Sequence, residues 1–168
     1  SAIIGPDSPI ILPPGPEKVD AEAELCIVIG RRCRHVKAED YESVVFGYTC
    51  GNDVSARDYQ FKDGQWVRAK GFDTFAPLGP AIVTDVDPSN LAIRSVVNGE
   101  VYQNSSTSYL LFDVPYLIEF ISNVMTLEPG DVIMTGTPGG PPSLKDGDIC
   151  EVQIDGIGVL RNPVKAAS

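Results

Sequence analysis

Two glutamates and one aspartate have the types and the spacing that could bind a metal ion. Glu22 and Glu24 are two positions apart at the start of EAELCIVIG, a segment whose alternation and apolar end predict a strand. Side chains two apart in a strand point to the same face, so the two carboxylates would share one site. Their like charges repel each other, and a cation between them would remove this repulsion. Asp53, at the end of the next predicted strand, can supply a third carboxylate.

These oxygen ligands allow two interpretations. Three carboxylates completed by water suit a hard ion such as Mg²⁺ or Mn²⁺ better than Zn²⁺, which prefers nitrogen and sulfur ligands. An alternating Glu-x-Glu is also typical of the solvated face of a strand. The spacing by itself does not decide between a metal site and a solvated face.

The elements that must position these residues are mostly strands. Short apolar segments are separated by turn sequences such as Asn-Gly, Pro-Gly and Asp-Gly, which indicates a β-rich α+β fold. We predict a single domain over residues 1–168. Only residues 114–125 read as a full helix, with Asp113 as N-cap and Leu117, Phe120, Ile121 and Val124 on one face. Strands are predicted at residues 10–12 (an edge strand), 22–30, 48–53, 81–86, 91–97, 131–135, 149–154 and 158–160, with a short helix within residues 37–48.

Composition argues against several classes of protein. Thirteen basic and 23 acidic residues give a net charge of -10, and the basic residues are scattered, so nucleic acid is not an expected partner. No segment approaches the ~20 apolar residues of a membrane span, and the N-terminus lacks the features of a signal peptide. The four cysteines have no CxxC spacing, so we expect reduced and mostly buried thiols.

Motifs around the three acidic residues are similar to those of one known family. AEAEL at residues 21–25 holds both glutamates, and NDVSARDYQ at residues 52–60 holds Asp53. On these and four further segments, in the same order, the sequence resembles the fumarylacetoacetate hydrolase family from residue 4 to residue 164. The further segments are AKGFDTFAPLGP (69–80), VNGE (97–100), LEPGDVIMTGTP (127–138) and GIGVLRNPV (156–164).

The resemblance implies a fold and a metal site. The fold would be a mixed β-sandwich or roll with few short helices. Glu22 and Glu24 match the two glutamates of the family's ExE motif, and Asp53 matches the aspartate of its NDxSARDxQ motif. In the family these residues bind Mg²⁺, Mn²⁺ or Ca²⁺, so we expect Mg²⁺ or Mn²⁺ here, with Ca²⁺ as a further candidate.

The resemblance also implies residues that bind or act on substrate. Arg57 and Gln60 would face the carboxylate or carbonyl oxygens of the substrate. Lys70 would be a fixed positive charge close to the metal that stabilises an enolate or neutralises the carboxylate cluster. Gly71 stands where many members have serine. In the TGTP turn, the hydroxyl of Thr137 and nearby backbone N–H groups would bind a substrate carboxylate.

Each of these roles has a simpler alternative. Arg57 could form a surface salt bridge with Asp58 or Asp63, Lys70 could be an ordinary solvated lysine, and Thr137 could only shape its turn.

A catalytic dyad of the hydrolytic family members has no counterpart in this sequence. Those members use a His and a Glu, in a motif like NYxxHxxE upstream of the metal-binding strand, to activate water. The single histidine here, His35, follows the strand in the turn RRCRHV, and we expect it to be exposed. We expect either that residues preceding Ser1 supply the dyad, or that the protein binds metal and ligand without this chemistry.

Taken together, these features predict an enzyme that acts on a small 2-oxo or 1,3-dicarbonyl acid. It would break a C–C bond through a metal-stabilised enolate, by acylpyruvate hydrolysis or by decarboxylation of an oxaloacetate-like acid. Keto–enol isomerisation is one alternative, and a non-catalytic interaction protein that associates through residues 1–12 or the helix at 114–125 is another. The resemblance implies a homodimer, and we expect a cytoplasmic location, or a mitochondrial one if a preceding segment carries a targeting signal.

Overall fold

The computed structural model describes residues 1–167 and consists mainly of short strands. Three short α-helices and three 3-10 helices connect them. The helices are α1 (Arg57–Asp63), α2 (Val67–Lys70) and α3 (Val114–Val124), and the 3-10 helices span Ala38–Ser43, Pro88–Asn90 and Thr107–Tyr109. The strands are β1 (Ile3–Ile4), β2 (Ile10–Leu12), β3 (Val19–Asp20), β4 (Ala23–Ile29), β5 (Val45–Asn52), β6 (Ser55–Ala56), β7 (Ala76–Val83), β8 (Ala92–Val97), β9 (Glu100–Ser106), β10 (Val132–Met134), β11 (Ile149–Ile154) and β12 (Gly158–Ala166).

Two five-stranded sheets form the framework. The first sheet has the order β1-β7-β5-β4-β10 and the second has the order β2-β12-β11-β8-β9, while β3 and β6 form a separate pair. Strand pairs β1–β7 and β12–β2 are parallel and the others are antiparallel, so both large sheets are mixed. This confirms the predicted β-rich α+β class and places β2 at a sheet edge, as predicted.

The two large sheets bury a shared core. Leu25 and Ile27 of β4 belong to the same buried cluster as Ile93 of β8, Val152 of β11 and Leu160 of β12. Every residue of β4 is buried, which explains why its sequence becomes an unbroken apolar run. The strand that carries Glu24 is therefore held rigidly between neighbours on both sides.

Several elements differ from the sequence prediction. Helices α1 and α2 were not predicted, because α1 (RDYQFKD) is short and buries no residue, so it has no apolar periodicity. Strand β9 was not predicted either, and β7 begins at residue 76 rather than 81. These short elements carry residues of the site described below.

Helix α3 begins after Asp113, whose side chain accepts a hydrogen bond from the Tyr116 N–H at 2.9 Å, as the N-cap prediction requires. Its buried side agrees with the predicted face in part: Leu117 and Ile121 pack against the core, whereas Phe120 and Val124 are exposed. Val114 and Ile118 are fully buried, whereas Phe120 is 57% exposed. Among residues 1–167 no helix is long and apolar enough to cross a membrane.

Candidate metal centre

Strands β4 and β5 bring three acidic residues together. Glu24 lies in β4, Glu22 directly precedes that strand, and Asp53 directly follows β5. The two strands are antiparallel, and the Asp53 N–H donates to the Glu22 carbonyl oxygen at 3.0 Å. One carboxylate oxygen from each residue lies within 4.8 Å of the others. Within residues 1–167 this is the group of acidic, His or Cys side chains that could hold a metal ion.

Lys70, at the end of α2, lies against two of these carboxylates. Its ammonium group donates to Glu22 Oε2 at 2.9 Å, to Asp53 Oδ2, and to the Ser55 hydroxyl at 3.0 Å. An ammonium has three N–H donors, so all of them are used by protein oxygens. Lys70 is therefore not the solvated lysine of the simpler interpretation.

Arg57, the first residue of α1, joins the same cluster through a fork of hydrogen bonds. Nε donates to Asp20 Oδ2 at 2.8 Å, Nη2 to Glu22 Oε1 at 2.6 Å, and Nη1 to Gln60 Oε1 at 2.8 Å. Gln60 follows three residues later on the same helix face, so its amide is within reach. The guanidinium has five N–H donors, and these three hydrogen bonds use three of them. The alternative of a surface pair with Asp58 or Asp63 is wrong, because Asp58 accepts from the Glu17 and Lys18 N–H groups and Asp63 pairs with Arg68.

Asp20 is a member of the cluster that the sequence interpretation missed. It is 1% exposed, and it accepts from Arg57 and from the Ser143 hydroxyl at 2.6 Å. A signal for it was present, because Asp20, Glu22 and Glu24 alternate and therefore share one side of the extended chain. Its position behind Arg57 makes it a support for the guanidinium rather than a neighbour of the acidic triplet.

Burial and like charges perturb the ionisation of the site. Burial, reinforced by the charges of Asp53 and Glu22, raises the pKa of Glu24 to about 8, although the Gly136 N–H opposes the shift. Burial also raises the pKa of Asp53, against the effect of Lys70. Burial on its own would lower the pKa of the Lys70 ammonium, but its hydrogen bonds to Asp53 and Glu22 raise it above the ordinary value. Lys70 is therefore a permanent positive charge near neutral pH.

The TGTP turn lies along the edge of β4. The Gly136 N–H donates to Glu24 Oε2 at 2.6 Å, and a φ of +102° at Gly136 lets the backbone turn there. The Thr137 hydroxyl donates to the Ala23 carbonyl oxygen at 3.0 Å and accepts from the side-chain amide of Gln103 at 2.9 Å. We expected this hydroxyl to bind a substrate carboxylate, but in this arrangement its single proton is directed to Ala23. The neighbouring backbone N–H of Thr137 is the better candidate donor.

The residues present suit a hard divalent cation. Within residues 1–167, Glu24 Oε1 and Asp53 Oδ1 accept no hydrogen bond from the protein, while the partner oxygen of each is anchored. Oxygen ligands on a rigid strand pair match the preferences of Mg²⁺, Mn²⁺ and Ca²⁺. Nitrogen and sulfur ligands do not enter the group: His35 is exposed and contacts Asn123, as expected of a loop residue. The cysteines are unpaired, and three of the four are buried.

Comparison with known proteins identifies the family. Residues 1–165 match the family model described as "Fumarylacetoacetate (FAA) hydrolase C-terminal". The chain belongs to the fumarylacetoacetate hydrolase family. The resemblance noted from the motifs is thereby confirmed, and family members of known structure share the fold.

Three members of the family show how far the similarity extends. Over 176 residues the chain is 49% identical to the mitochondrial oxaloacetate tautomerase of Xenopus laevis, with 98% of this chain and 55% of that protein aligned. The 5-carboxymethyl-2-hydroxymuconate delta-isomerase from Mycobacterium smegmatis has 57% identity and a TM-score of 0.98, over 99% of this chain and 66% of that one. Maleylpyruvate hydrolase from Sphingobium sp. SYK-6, solved with manganese(II) and pyruvate, has 41% identity and a TM-score of 0.92, over 100% of this chain and 62% of that one. The chain thus spans 55 to 66% of the length of these three members.

Proposed function

We propose that this chain carries the metal-binding and enolate-stabilising centre of an enzyme for small 2-oxo or 1,3-dicarbonyl acids. The observation that carries the proposal is the convergence of Glu22, Glu24 and Asp53 beside two fixed cations, Arg57 and Lys70. The three carboxylates would hold Mg²⁺ or Mn²⁺, with Ca²⁺ as the further candidate. A divalent cation held there would act as a Lewis acid towards the oxygens of the substrate.

The cationic side chains have separate tasks in this proposal. Arg57 presents its two remaining N–H donors, and Gln60 is oriented with its oxygen towards Arg57, which leaves its NH₂ group for a substrate oxygen. These donors would bind and orient the carboxylate of the acid. Lys70 would stabilise the negative charge that develops on the oxo oxygen, since its charge is held in place by Glu22 and Asp53 before substrate arrives.

Keto–enol isomerisation is the reaction we propose to test first. It requires a base that takes a proton from the carbon next to the oxo group, an acid that delivers one to the oxygen, and an electron sink that stabilises the enolate; the charges of this site suit the last of these tasks. Members named tautomerase or isomerase are 49% and 57% identical to the chain, while the hydrolase is 41% identical. Decarboxylation of an oxaloacetate-like acid and hydrolysis of an acylpyruvate use the same enolate and remain the second candidates. Hydrolysis requires in addition a group that activates water.

The test is turnover of oxaloacetate and of an acylpyruvate with Mg²⁺ or Mn²⁺, followed as tautomerisation, decarboxylation and hydrolysis. The variant Glu24→Gln keeps the shape of the side chain but removes the charge, and we expect a loss of about 100-fold or more. Glu39→Gln is the matched control, because Glu39 is exposed and pairs with Lys37 in place of the residues of the candidate site. Wild-type activity in Glu24→Gln would contradict the proposal, and the product formed by the wild type would identify the reaction.

We also propose that the chain forms a homodimer in an intracellular compartment, cytoplasmic or mitochondrial. The observation that supports the homodimer is an exposed aromatic row of Phe112, Tyr116 and Phe120, whose rings stack on one another with centroids 4.8 and 6.0 Å apart. An exposed row of this kind is typical of an interface. A two-fold axis beside α3 would bring two such rows together.

A further inference from the structure

Gln103 joins the second sheet to the candidate metal centre. It lies in β9 and its side chain is buried, with 1% of the residue exposed. Its amide oxygen accepts from the Ala23 N–H at 3.1 Å. Its amide nitrogen donates to the Thr137 hydroxyl at 2.9 Å and to the Pro138 carbonyl oxygen at 2.6 Å. Gln103 therefore spans the gap between the metal-binding strand and the TGTP turn.

The three hydrogen bonds fix the backbone between the two glutamates. Ala23 is the residue between Glu22 and Glu24, and its N–H is held by Gln103. The Ala23 carbonyl oxygen is held by the Thr137 hydroxyl, which is itself held by Gln103. The Gln103 amide thus holds the Ala23 N–H directly and the Ala23 carbonyl oxygen through Thr137.

The orientation of the Gln103 amide is fixed by its partners. A backbone N–H can only donate and a backbone carbonyl can only accept, so the amide oxygen must face Ala23 and the nitrogen must face Pro138. A buried polar group without its partners is costly, so the amide resists any movement of the turn away from β4. Hydrophobicity does not explain a polar side chain buried at this point, whereas holding the turn in place does.

We propose that Gln103 is a positioning residue that sets the distance between the metal-binding carboxylates and the turn at residues 135–138. It rests on the proposed function, in which the ion binds a small acid, and it adds the Thr137 N–H as a donor to the same acid, because the Thr135 and Gly136 N–H groups already donate to Leu25 and Glu24. Strand β4 is also paired with β5 and with β10, so its carboxylates keep their places without Gln103. Gln103 then determines affinity for the carboxylate ligand and leaves affinity for the metal ion largely to Glu22, Glu24 and Asp53.

The test compares two substitutions of Gln103. Gln103→Glu keeps an acceptor for Ala23 but loses both N–H donors and places an oxygen against Pro138. Gln103→Met keeps the length of the side chain and loses all three hydrogen bonds without adding charge, so it remains informative if Gln103→Glu folds poorly. Gln153→Glu is the matched control. Gln153 lies in β11 and its side-chain amide donates to Glu151 Oε2 at 2.8 Å, so this substitution also replaces an N–H donor with an oxygen that faces another oxygen, but outside the candidate centre.

Two measurements decide whether Gln103 positions the turn or only stabilises the fold in general. Mn²⁺ affinity is measured by electron paramagnetic resonance, and oxalate affinity is measured on the Mn²⁺-loaded protein. We expect oxalate affinity to fall about tenfold or more in both Gln103 variants, as the loss of such a network predicts, while Mn²⁺ affinity stays close to the wild-type value. Equal losses of oxalate and Mn²⁺ affinity, or no loss of either, would overturn the proposal.

Hydrogen exchange of the metal-free protein provides a readout that does not depend on the proposed function. The Gly136 amide should exchange faster in both Gln103 variants, with unchanged protection at residues 26–29, and should be unaffected in Gln153→Glu. Unchanged exchange at Gly136 would show that Gln103 does not hold the turn. If wild-type protein binds no Mn²⁺, the proposed function fails, and the exchange at Gly136 alone decides whether Gln103 positions the turn.

Discussion

At the scale of single residues, each cation of the candidate site is held by acids that it also neutralises. Arg57 uses three donors on Asp20, Glu22 and Gln60, and Lys70 uses all of its donors on neighbouring oxygens. Such pre-arranged charges lose little orientation freedom when a ligand binds. This arrangement places several carboxylates close together, and among them the pKa of Glu24 is raised to about 8.

The raised pKa of Glu24 predicts competition between protons and metal. Its pKa is about 8 in the metal-free protein, so below that pH the carboxyl group holds a proton that a cation must displace. We expect the apparent Mn²⁺ affinity to fall about tenfold per pH unit as the pH decreases from about 8 to about 6. Titration of Mn²⁺ at several pH values measures this slope, and a constant affinity over the range would contradict the assignment of Glu24 as a ligand.

Asp20 should affect substrate binding through Arg57. Asp20→Asn keeps the shape of the side chain but removes the charge that Nε of Arg57 contacts, so the guanidinium should be held less firmly. We expect KM for the acid to rise about tenfold and stability to fall by about 1–3 kcal/mol, with Mn²⁺ affinity unchanged. The control is Asp58→Asn, because Asp58 binds the exposed N–H groups of Glu17 and Lys18 instead. Equal effects of the two substitutions on KM would refute this role.

At the scale of elements, the ends of two strands and of two helices build the site. The acidic triplet stands where β4 begins and where β5 ends, while Arg57 begins α1 and Lys70 ends α2. Residues at the ends of rigid elements keep fixed positions and still reach a ligand. Helix α3 takes no part in the candidate site, which makes it a convenient place to change stability without changing chemistry.

The N-cap of α3 supports a stability prediction. Asp113→Ala removes the acceptor of the Tyr116 N–H and should lower the free energy of unfolding by about 1 kcal/mol. Asp113→Asn retains an acceptor and should change stability by only a few tenths of a kcal/mol. Urea denaturation of both variants measures the difference. Equal losses in the two variants would show that the charge of Asp113, rather than the cap, stabilises the helix.

The sequence predicts those elements whose inward residues are apolar. Strand β11 has the predicted limits because Cys150, Val152 and Ile154 alternate inward. Strand β9 was missed because the buried residue of EVYQNSS is Gln103, so its interior position has no hydrophobic signal. The acidic triplet was predictable from local spacing and family motifs. The link between Gln103 and the TGTP turn was not, because it joins residues 34 positions apart through a tertiary contact.

At the scale of the whole molecule, the two large sheets support each other around a continuous core. The Cys50 thiol of β5 contacts the Gly158 carbonyl oxygen of β12 at 3.6 Å, and the main core cluster draws residues from both sheets. We propose that residues 1–167 form one cooperative unit. Calorimetry should show one unfolding transition at every Mn²⁺ concentration, shifted upwards by the ion. Two transitions would contradict a single domain.

Self-association depends on the aromatic row beside α3. Phe120→Glu places a charge among Phe112 and Tyr116, and we expect it to convert a dimer to a monomer without loss of secondary structure. Light scattering coupled to gel filtration measures the mass. The control is Phe61→Glu, because Phe61 is 83% exposed, lies in α1 and does not belong to the stacked aromatic row. A wild-type monomer, or a dimer that survives Phe120→Glu, would refute this interface.

The balance of charge around Arg57 and Lys70 bears on the valence of the ion. The buried part of the cluster comprises Asp20, Glu22, Glu24 and Asp53 with Arg57 and Lys70, and when fully ionised it has an excess of two negative charges. Lys18, which approaches Asp20 to 3.6 Å from the solvent side, is 57% exposed and is not counted. A doubly charged ion makes the cluster electrically neutral, which is the arrangement a buried environment favours. A singly charged ion would leave one negative charge and a trivalent lanthanide one positive charge. Selection among ions would therefore begin with valence, before size or ligand geometry distinguishes one divalent ion from another.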